Sequence, residues 1–157
     1  YRVLLTHTHL DHVLGLPDVP PGTVVIAGAG ELRERGVQAA LLRGTYRRLF
    51  DGITLSALDP AQAVPLGELV GWDLVGDGSV WALAAPGHTP GSTAYLARTP
   101  DGPVLAVGDT SHTRWGWDHG VTPGTYTEDL EGNARSLGAL RSFAARHPTM
   151  KVLVGHE

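Results

Sequence analysis

Short apolar runs, each ending in a polar turn, set the rhythm of this chain. Val3-Leu4-Leu5 is the first, and an unbroken apolar run of that kind reads as a buried β-strand. Pro17, Pro20, Pro21 and Gly22 mark a turn-rich connection, after which Thr23 to Ala27 reads as a second short strand. The period then becomes helical. Glu31 to Arg35 is brief, and Val37 to Phe50 carries Val37, Ala40, Leu41, Tyr46 and Leu49 at three- and four-residue spacing, with Gly44 as its weak point. Arg43, Arg47 and Arg48 form the solvated face of that helix. From Ile53 to Leu58 the pattern is β again. Trp72 to Val75 and Ser79 to Leu83 flank Gly76-Asp77-Gly78, and Thr93 to Ala97 and Val104 to Val107 flank Thr99-Pro100-Asp101-Gly102; both are hairpin signals. Trp72 and Trp81 fit core or cross-strand packing. Thr127 is expected to cap a long helix running to about Arg146, with Leu130, Ala134, Leu137, Leu140 or Arg141, and Ala144 along its apolar stripe. Pro148 stops it, and Met150 to Val154 closes the chain as a strand. No repeat, low-complexity segment or interdomain linker interrupts the pattern, so one α/β domain is expected.

Composition narrows the partners. The chain has 157 residues, 42% hydrophobic and 18% charged, enough for one soluble domain with a real core. Its net charge of -4, from 16 acidic and 12 basic residues, and the lack of a basic block weigh against a nucleic-acid partner held through its phosphates. There is no cysteine, so neither a disulfide nor a thiolate ligand is available. No apolar run approaches the ~20 residues of a membrane-spanning helix. The chain opens at Tyr1, inside a strand and without an initiator methionine, so the lack of a signal peptide carries no weight. A cytoplasmic location is the default expectation, and the oligomeric state is left open.

The chemistry gathers at the polar tips. Thr6-His7-Thr8-His9-Leu10-Asp11-His12 puts three histidines and a carboxylate into six residues directly after the first strand. If the strand conformation persists, His7 and His9 point to one face, and the following turn can bring Asp11 and His12 back toward the same point. Imidazole and carboxylate are ligands that zinc and other borderline divalent ions favour. Three later strands end alike: in Gly87-His88-Thr89-Pro90-Gly91-Ser92, in Gly108-Asp109-Thr110-Ser111-His112, and in Gly155-His156-Glu157. The glycine before each ligand allows a sharp turn or a close backbone approach. Strand ends at one edge of a sheet would bring these tips together, and with the first cluster they supply enough ligands for two ions.

The series His-x-His-x-Asp-His, Gly-His-Thr-Pro-Gly-Ser, Gly-Asp and Gly-His resembles the metallo-β-lactamase superfamily of dinuclear metallohydrolases, from Thr6 to His156. The resemblance implies an αββα sandwich with the metals at the edge between its sheets. It implies His7, His9 and His88 on one metal, Asp11, His12 and His156 on the other, and Asp109 bridging both. The two ions are expected to be zinc, with manganese or iron also compatible with the ligands. Relatives carry further strands before the first motif, so residues 1–157 are read as a single-domain fragment, cut at both ends, whose first sheet lacks its N-terminal strands.

Two metals sharing a water lower its pKa and present hydroxide to an electrophilic carbon or phosphorus. The expected reaction is hydrolysis of an ester, lactone or thioester of a small molecule. Asp11 is expected to orient the nucleophile and carry a proton as well as bind metal. The motifs after Pro86 and Val107 resemble glyoxalase II thioesterases, whereas the segment beyond Asp109 is closer to acyl-homoserine-lactonase-like members. Those place a tyrosine three residues after the bridging aspartate, where this chain has His112, a candidate to donate a proton to the leaving oxygen or to bond a substrate carbonyl, with a supporting or merely exposed histidine as the alternative. Zinc β-lactamases depart from the bridging aspartate, so Asp109 argues against that activity. Trp115 and Trp117 fit either an acyl pocket or packing against the long helix, and His119 and His147 read as surface residues. A phosphodiesterase or nuclease of the same superfamily is the alternative enzyme, and a non-catalytic metal-binding relative the alternative from another class. An oxygen-reducing diiron relative would replace a histidine of the first cluster with a carboxylate, and none is replaced here.

Overall fold

Parallel pairing of three short strands builds the first sheet. A computed structural model describes residues 1–32 and 42–157 of the chain. In it β1 (Arg2–Leu4), β2 (Val24–Ala27) and β3 (Thr54–Ala57) lie in that order, with Val3 opposite Val25 and Val25 opposite Leu55. Parallel neighbours need a crossover. The first crossover contains helix α1 (Leu10–Val13) and the second contains α2 (Arg43–Leu49). The expected helix over Val37 to Phe50 is thus present from Arg43; its part at 37–41, and the end of the brief one at 33–35, lie outside the described residues. Glu31 falls in a 3-10 turn, Ala29–Leu32. Arg43, Arg47 and Arg48 are exposed, as their pattern implies.

The second sheet has six strands in sequence order: β4 (Val64–Leu66), β5 (Leu69–Asp73), β6 (Val80–Ala84), β7 (Thr93–Thr99), β8 (Gly102–Ala106) and β9 (Lys151–Leu153). Both expected hairpins are present, β5–β6 and β7–β8. In the first, Asp73 ends its strand early because its carboxylate accepts from the backbone N–H groups of Gly76 and Gly78, each at 2.8 Å. All pairings are antiparallel except β8–β9, which is parallel and joined through α3 (Arg114–His119) and α4 (Leu130–Ala145). The alternation makes β6, β8 and β9 run the same way, so their C-terminal ends share one edge of the sheet.

Alternating side chains sort the strands into layers. Val25 and Ala27 face outward into a cluster with Val13, Leu16 and Leu49. Leu4 and Ile26 face inward and meet Leu58, Ala82 and Tyr95 between the sheets. Leu83, Ala94 and Leu105 face away from the first sheet and pack on Trp117, Leu137 and Leu140. The order is helix, sheet, sheet, helix, the expected αββα sandwich. Two bonds tie the sheets at the edge where β1 ends: the Tyr95 hydroxyl donates to Leu5 O at 2.8 Å, and the Thr93 N–H to Thr6 O at 2.9 Å.

The long helix departs from expectation at its start. Its N-cap is Asp129, whose carboxylate accepts from Gly132 N at 2.9 Å, and Thr127 lies outside it. Its inward stripe runs Asn133, Leu137, Leu140, Ala144, while Leu130 and Ala134 are exposed. Trp117 packs on this helix, whereas Trp115 is exposed and stacks on His119. Among the described residues no helix is long and apolar enough to cross a membrane.

Candidate metal centre

Five strand-end turns meet where the two sheets touch. β1 leads into Leu5 to His9, β2 into the turn holding Glu31, β6 into Pro86 to Ser92, β8 into Val107 to His112, and β9 into Val154 to Glu157. Extended backbone carries His7 and His9 past Leu5, and His9 then stands at the N-cap position of α1, whose first turn presents Asp11 and His12. Gly87 adopts φ +139° and lies so close to α4 that a Cβ there would sit 2.1 Å from Asn133 N. The same helix holds a second ligand turn, because Asn133 Nδ2 donates to Thr110 O at 3.1 Å. The terminal segment is pinned by Gly155 N to Ser111 O at 3.0 Å and His156 N to His112 O at 2.9 Å. The close approach expected of glycine before a ligand is plainest at Gly155, where a Cβ would lie 2.0 Å from Asp109 Oδ1.

Asp109 is the hub. Its Oδ2 lies 3.0 Å from His156 Nε2, 3.0 Å from His112 Nε2, 3.5 Å from His88 Nε2 and 3.8 Å from His7 Nε2, and its Oδ1 is 3.3 Å from His12 Nε2. On one side His9 Nδ1 is 2.9 Å from His88 Nε2; on the other, Asp11 Oδ2 is 3.6 Å from both His12 Nε2 and His156 Nε2. His7, His9 and His88 form one group with ligand atoms within 4.8 Å of one another, and Asp11, His12 and His156 form another. Asp109 joins His7 and His12 in a third group and His88 and His112 in a fourth. The structure therefore brings together all seven residues expected as ligands, and His112 with them.

The donor set fits divalent ions. His7 Nε2 and Asp109 Oδ1 are buried yet make no hydrogen bond, and His112 Nε2, though close to Asp109, is misaligned for one. Orphaned polar atoms of this kind are costly in a folded core, and convergent lone pairs that do not hydrogen-bond are what coordination uses. Protonation agrees. Burial, aided by the neighbouring His12, lowers the His7 pKa to about 2, and burial lowers that of His88 to about 4, so both imidazoles are neutral, as a ligand must be. Burial would push the Asp109 carboxyl up, but the imidazoles of His12, His7 and His156 together hold it below the usual carboxylate range. Asp109 in turn raises the His12 pKa.

Exposure is graded across the cluster. His7, His88 and Asp109 are buried, while the Asp11 side chain is 57% exposed and that of His156 42%. Two neighbours were not legible as parts of the site. Thr127, expected as a helix cap, places its hydroxyl 3.4 Å from His88 Nδ1. Glu31, expected at the start of a brief helix, sends its carboxylate between the first and second ligand turns. Its signal in the sequence is the pair Gly28 and Gly30 just before it, which lets this turn pack against the backbone of Gly91. His119 and His147 are on the surface.

The pattern of the metallo-beta-lactamase superfamily matches residues 2–156. The chain belongs to this superfamily. Within it, the sequence is 29% identical over 159 residues to the N-acyl homoserine lactonase AttM of Agrobacterium fabrum, an alignment covering 99% of this chain and 57% of that protein. A crystal structure of a B. thuringiensis AiiA mutant with N-decanoyl-L-homoserine bound at its active site matches with a TM-score of 0.70 at 20% identity, over 99% of this chain and 55% of that one. AidC, described as a dizinc quorum-quenching lactonase, matches with a TM-score of 0.67 at 16% identity, over 99% of this chain and 56% of that one. At these identities the structural likeness establishes the shared superfamily fold. The chain spans a little over half the length of each of these relatives.

Proposed function

We propose that this chain is the metal-holding part of a dinuclear metal-dependent hydrolase that opens the lactone ring of N-acyl homoserine lactones. The observation that carries the reading is the gathering of six imidazole and carboxylate side chains from three turns around Asp109 on a fourth, as two groups on either side of it. His7, His9 and His88 would hold one ion, Asp11, His12 and His156 the other, with Asp109 serving both. The all-nitrogen-and-oxygen set suits zinc, and AidC is a dizinc protein. When bound, such a pair polarises a carbonyl oxygen and lowers the pKa of water toward neutrality.

The chain's own residues supply the rest. Substrate enters from the side where Asp11, His112 and His156 meet solvent, since the opposite wall is closed by His7 and His88. Asp11 orients the attacking water and takes its proton. His112, 3.0 Å from Asp109 and with its ring 6.3 Å from that of Tyr126, stands at the same mouth and protonates the departing alkoxide. Lactones are favoured over other esters by the likeness to AttM, which spans the whole chain.

The test is a turnover panel with the zinc-loaded protein: N-acyl homoserine lactones of several chain lengths, a simple γ-lactone, a thioester, an aryl ester, a bis-aryl phosphodiester and a β-lactam. The lactones are expected to lead by kcat/KM. A phosphodiester ahead of every lactone would establish the nuclease-like alternative, and zinc uptake without any turnover would make the centre a binding site.

A further inference from the structure

Among the described residues, one buried carboxylate lies outside the ligand set. Glu31 is 6% exposed, in the turn that follows β2. Its Oε2 accepts from the backbone N–H and the hydroxyl of Thr8, both at 2.7 Å. Its Oε1 accepts from the Thr89 hydroxyl at 2.5 Å and from Gly91 N at 3.1 Å. Thr8 separates His7 from His9, and Thr89 follows His88. One carboxylate thus grips both chain segments that carry the group His7, His9 and His88, which come from different sheets.

The grip has little slack. A Cβ on Gly30 would lie 2.6 Å from Gly91 N, and one on Gly91 would lie 2.5 Å from Glu31 N, so the two turns pack backbone against backbone. The Tyr46 hydroxyl, donating to Thr8 O at 3.0 Å, fixes the same segment from α2. A buried carboxylate is tolerated because N–H and O–H donors surround it, and these charge-assisted bonds are strong. The group Asp11, His12 and His156 is held otherwise, by α1 and by the bonds of Gly155 and His156 to Ser111 and His112.

We propose that Glu31 is a positioning residue for the ion held by His7, His9 and His88, acting through Thr8 and Thr89; this rests on the reading of the cluster as a two-metal centre. An ion demands ligand atoms at ~2 Å in fixed directions. The Glu31 bracket sets the spacing between the His7–His9 segment and His88 before the ion arrives. Residues that orient ligands in this way are worth roughly 10- to 100-fold in metal affinity.

The test uses two single-site backgrounds of the whole chain, His156→Ala to cripple one group and His9→Ala to cripple the other, titrated with zinc against a chromophoric chelator. Glu31→Gln keeps the shape but turns an amide nitrogen toward two of the donors. It should weaken zinc binding by about 10-fold or more in the His156→Ala background and leave the His9→Ala background within about threefold, by the same measure of ligand orientation. Thr89→Val, which keeps the side-chain volume and removes the hydroxyl's bonds to Glu31 and to Ser92, should act in the same direction with a smaller loss, and covers the case in which Glu31→Gln does not fold. Cobalt loaded into the His156→Ala background should show an altered visible absorption spectrum on Glu31→Gln. Equal weakening in both backgrounds would reduce Glu31 to general support of the fold, and unchanged binding in both would remove it from the site; either overturns the inference. Failure of the unsubstituted protein to take up zinc would instead overturn the metal reading, and the inference with it.

Discussion

Asp109→Asn keeps the shape of the hub side chain and removes its charge, which makes it the sharpest test of the two-ion reading. The carboxylate oxygens stand 3.0–3.8 Å from five imidazole nitrogens, so an ion lodged among those nitrogens on either side lies within about 4 Å of the charge. At that separation a pair of unit charges interacts by about 4 kcal/mol at an effective dielectric of ~20, and a divalent ion by about twice as much. Water regained by a departing ion offsets more than half. About 3 kcal/mol per ion remains, on the order of 100-fold in each dissociation constant. His156→Ala, by contrast, removes a neutral ligand from one group only. The assay is zinc content by plasma emission after gel filtration against a weak chelator. His156→Ala should retain one ion per chain where Asp109→Asn retains less than one. Two ions retained by Asp109→Asn, or the loss of both by His156→Ala, would refute the shared role of Asp109.

Three further outcomes follow from the geometry. His112→Ala should leave zinc content intact and lower turnover by roughly 10²-fold, with the largest loss on substrates whose leaving alkoxide is most basic and the smallest on an activated aryl ester; equal losses would make His112 a substrate-orienting group. Gly155→Ala places a methyl group 2.0 Å from Asp109 Oδ1, so it should abolish stoichiometric zinc uptake while a circular-dichroism spectrum stays native, and normal uptake would show that the terminal turn has room to move. In chelator-treated protein, His7 and His88 titrate well below the ~6.5 of an unfolded histidine. Protons therefore bind the unfolded chain first, and stability falls as pH drops from about 6.5 toward 4. His88→Gln should flatten that dependence of Tm, and an unaltered slope would contradict the buried, neutral state of His88.

The ligands were legible because four are crowded into six residues and the others each follow a glycine at the end of an apolar run. The layers were legible from the same runs, since Val25 and Ile26, or Leu83 and Ala82, are apolar neighbours and so need two buried faces. Two failures share one cause, that a local pattern cannot show what a distant partner will claim, and two come from a residue that masks its own element. Thr127 is a competent helix cap, but His88 draws its hydroxyl away and Asp129 takes the position. Asn133 breaks the apolar stripe of the long helix because its partner is a carbonyl on a ligand turn. Pro65 disguised β4, which tolerates it as the edge strand of the sheet. α3 was hidden by Gly116, although Thr113 caps it in the ordinary way, accepting from Gly116 N at 3.0 Å.

The uneven exposure of the cluster has a consequence in time as well as in space. Exchange of an ion with solution needs a path for water or a chelator to replace ligands one at a time, and Asp11 and His156 leave such a path open. His7 and His88, sealed beneath the sheets' junction, do not. If two ions are held as proposed, that gradient would fill the centre in order, one ion resident for long periods and the other turning over with the supply around it. On the two-ion reading, scarce metal would leave a half-filled form, and the supply of ions would set how much of the population is complete.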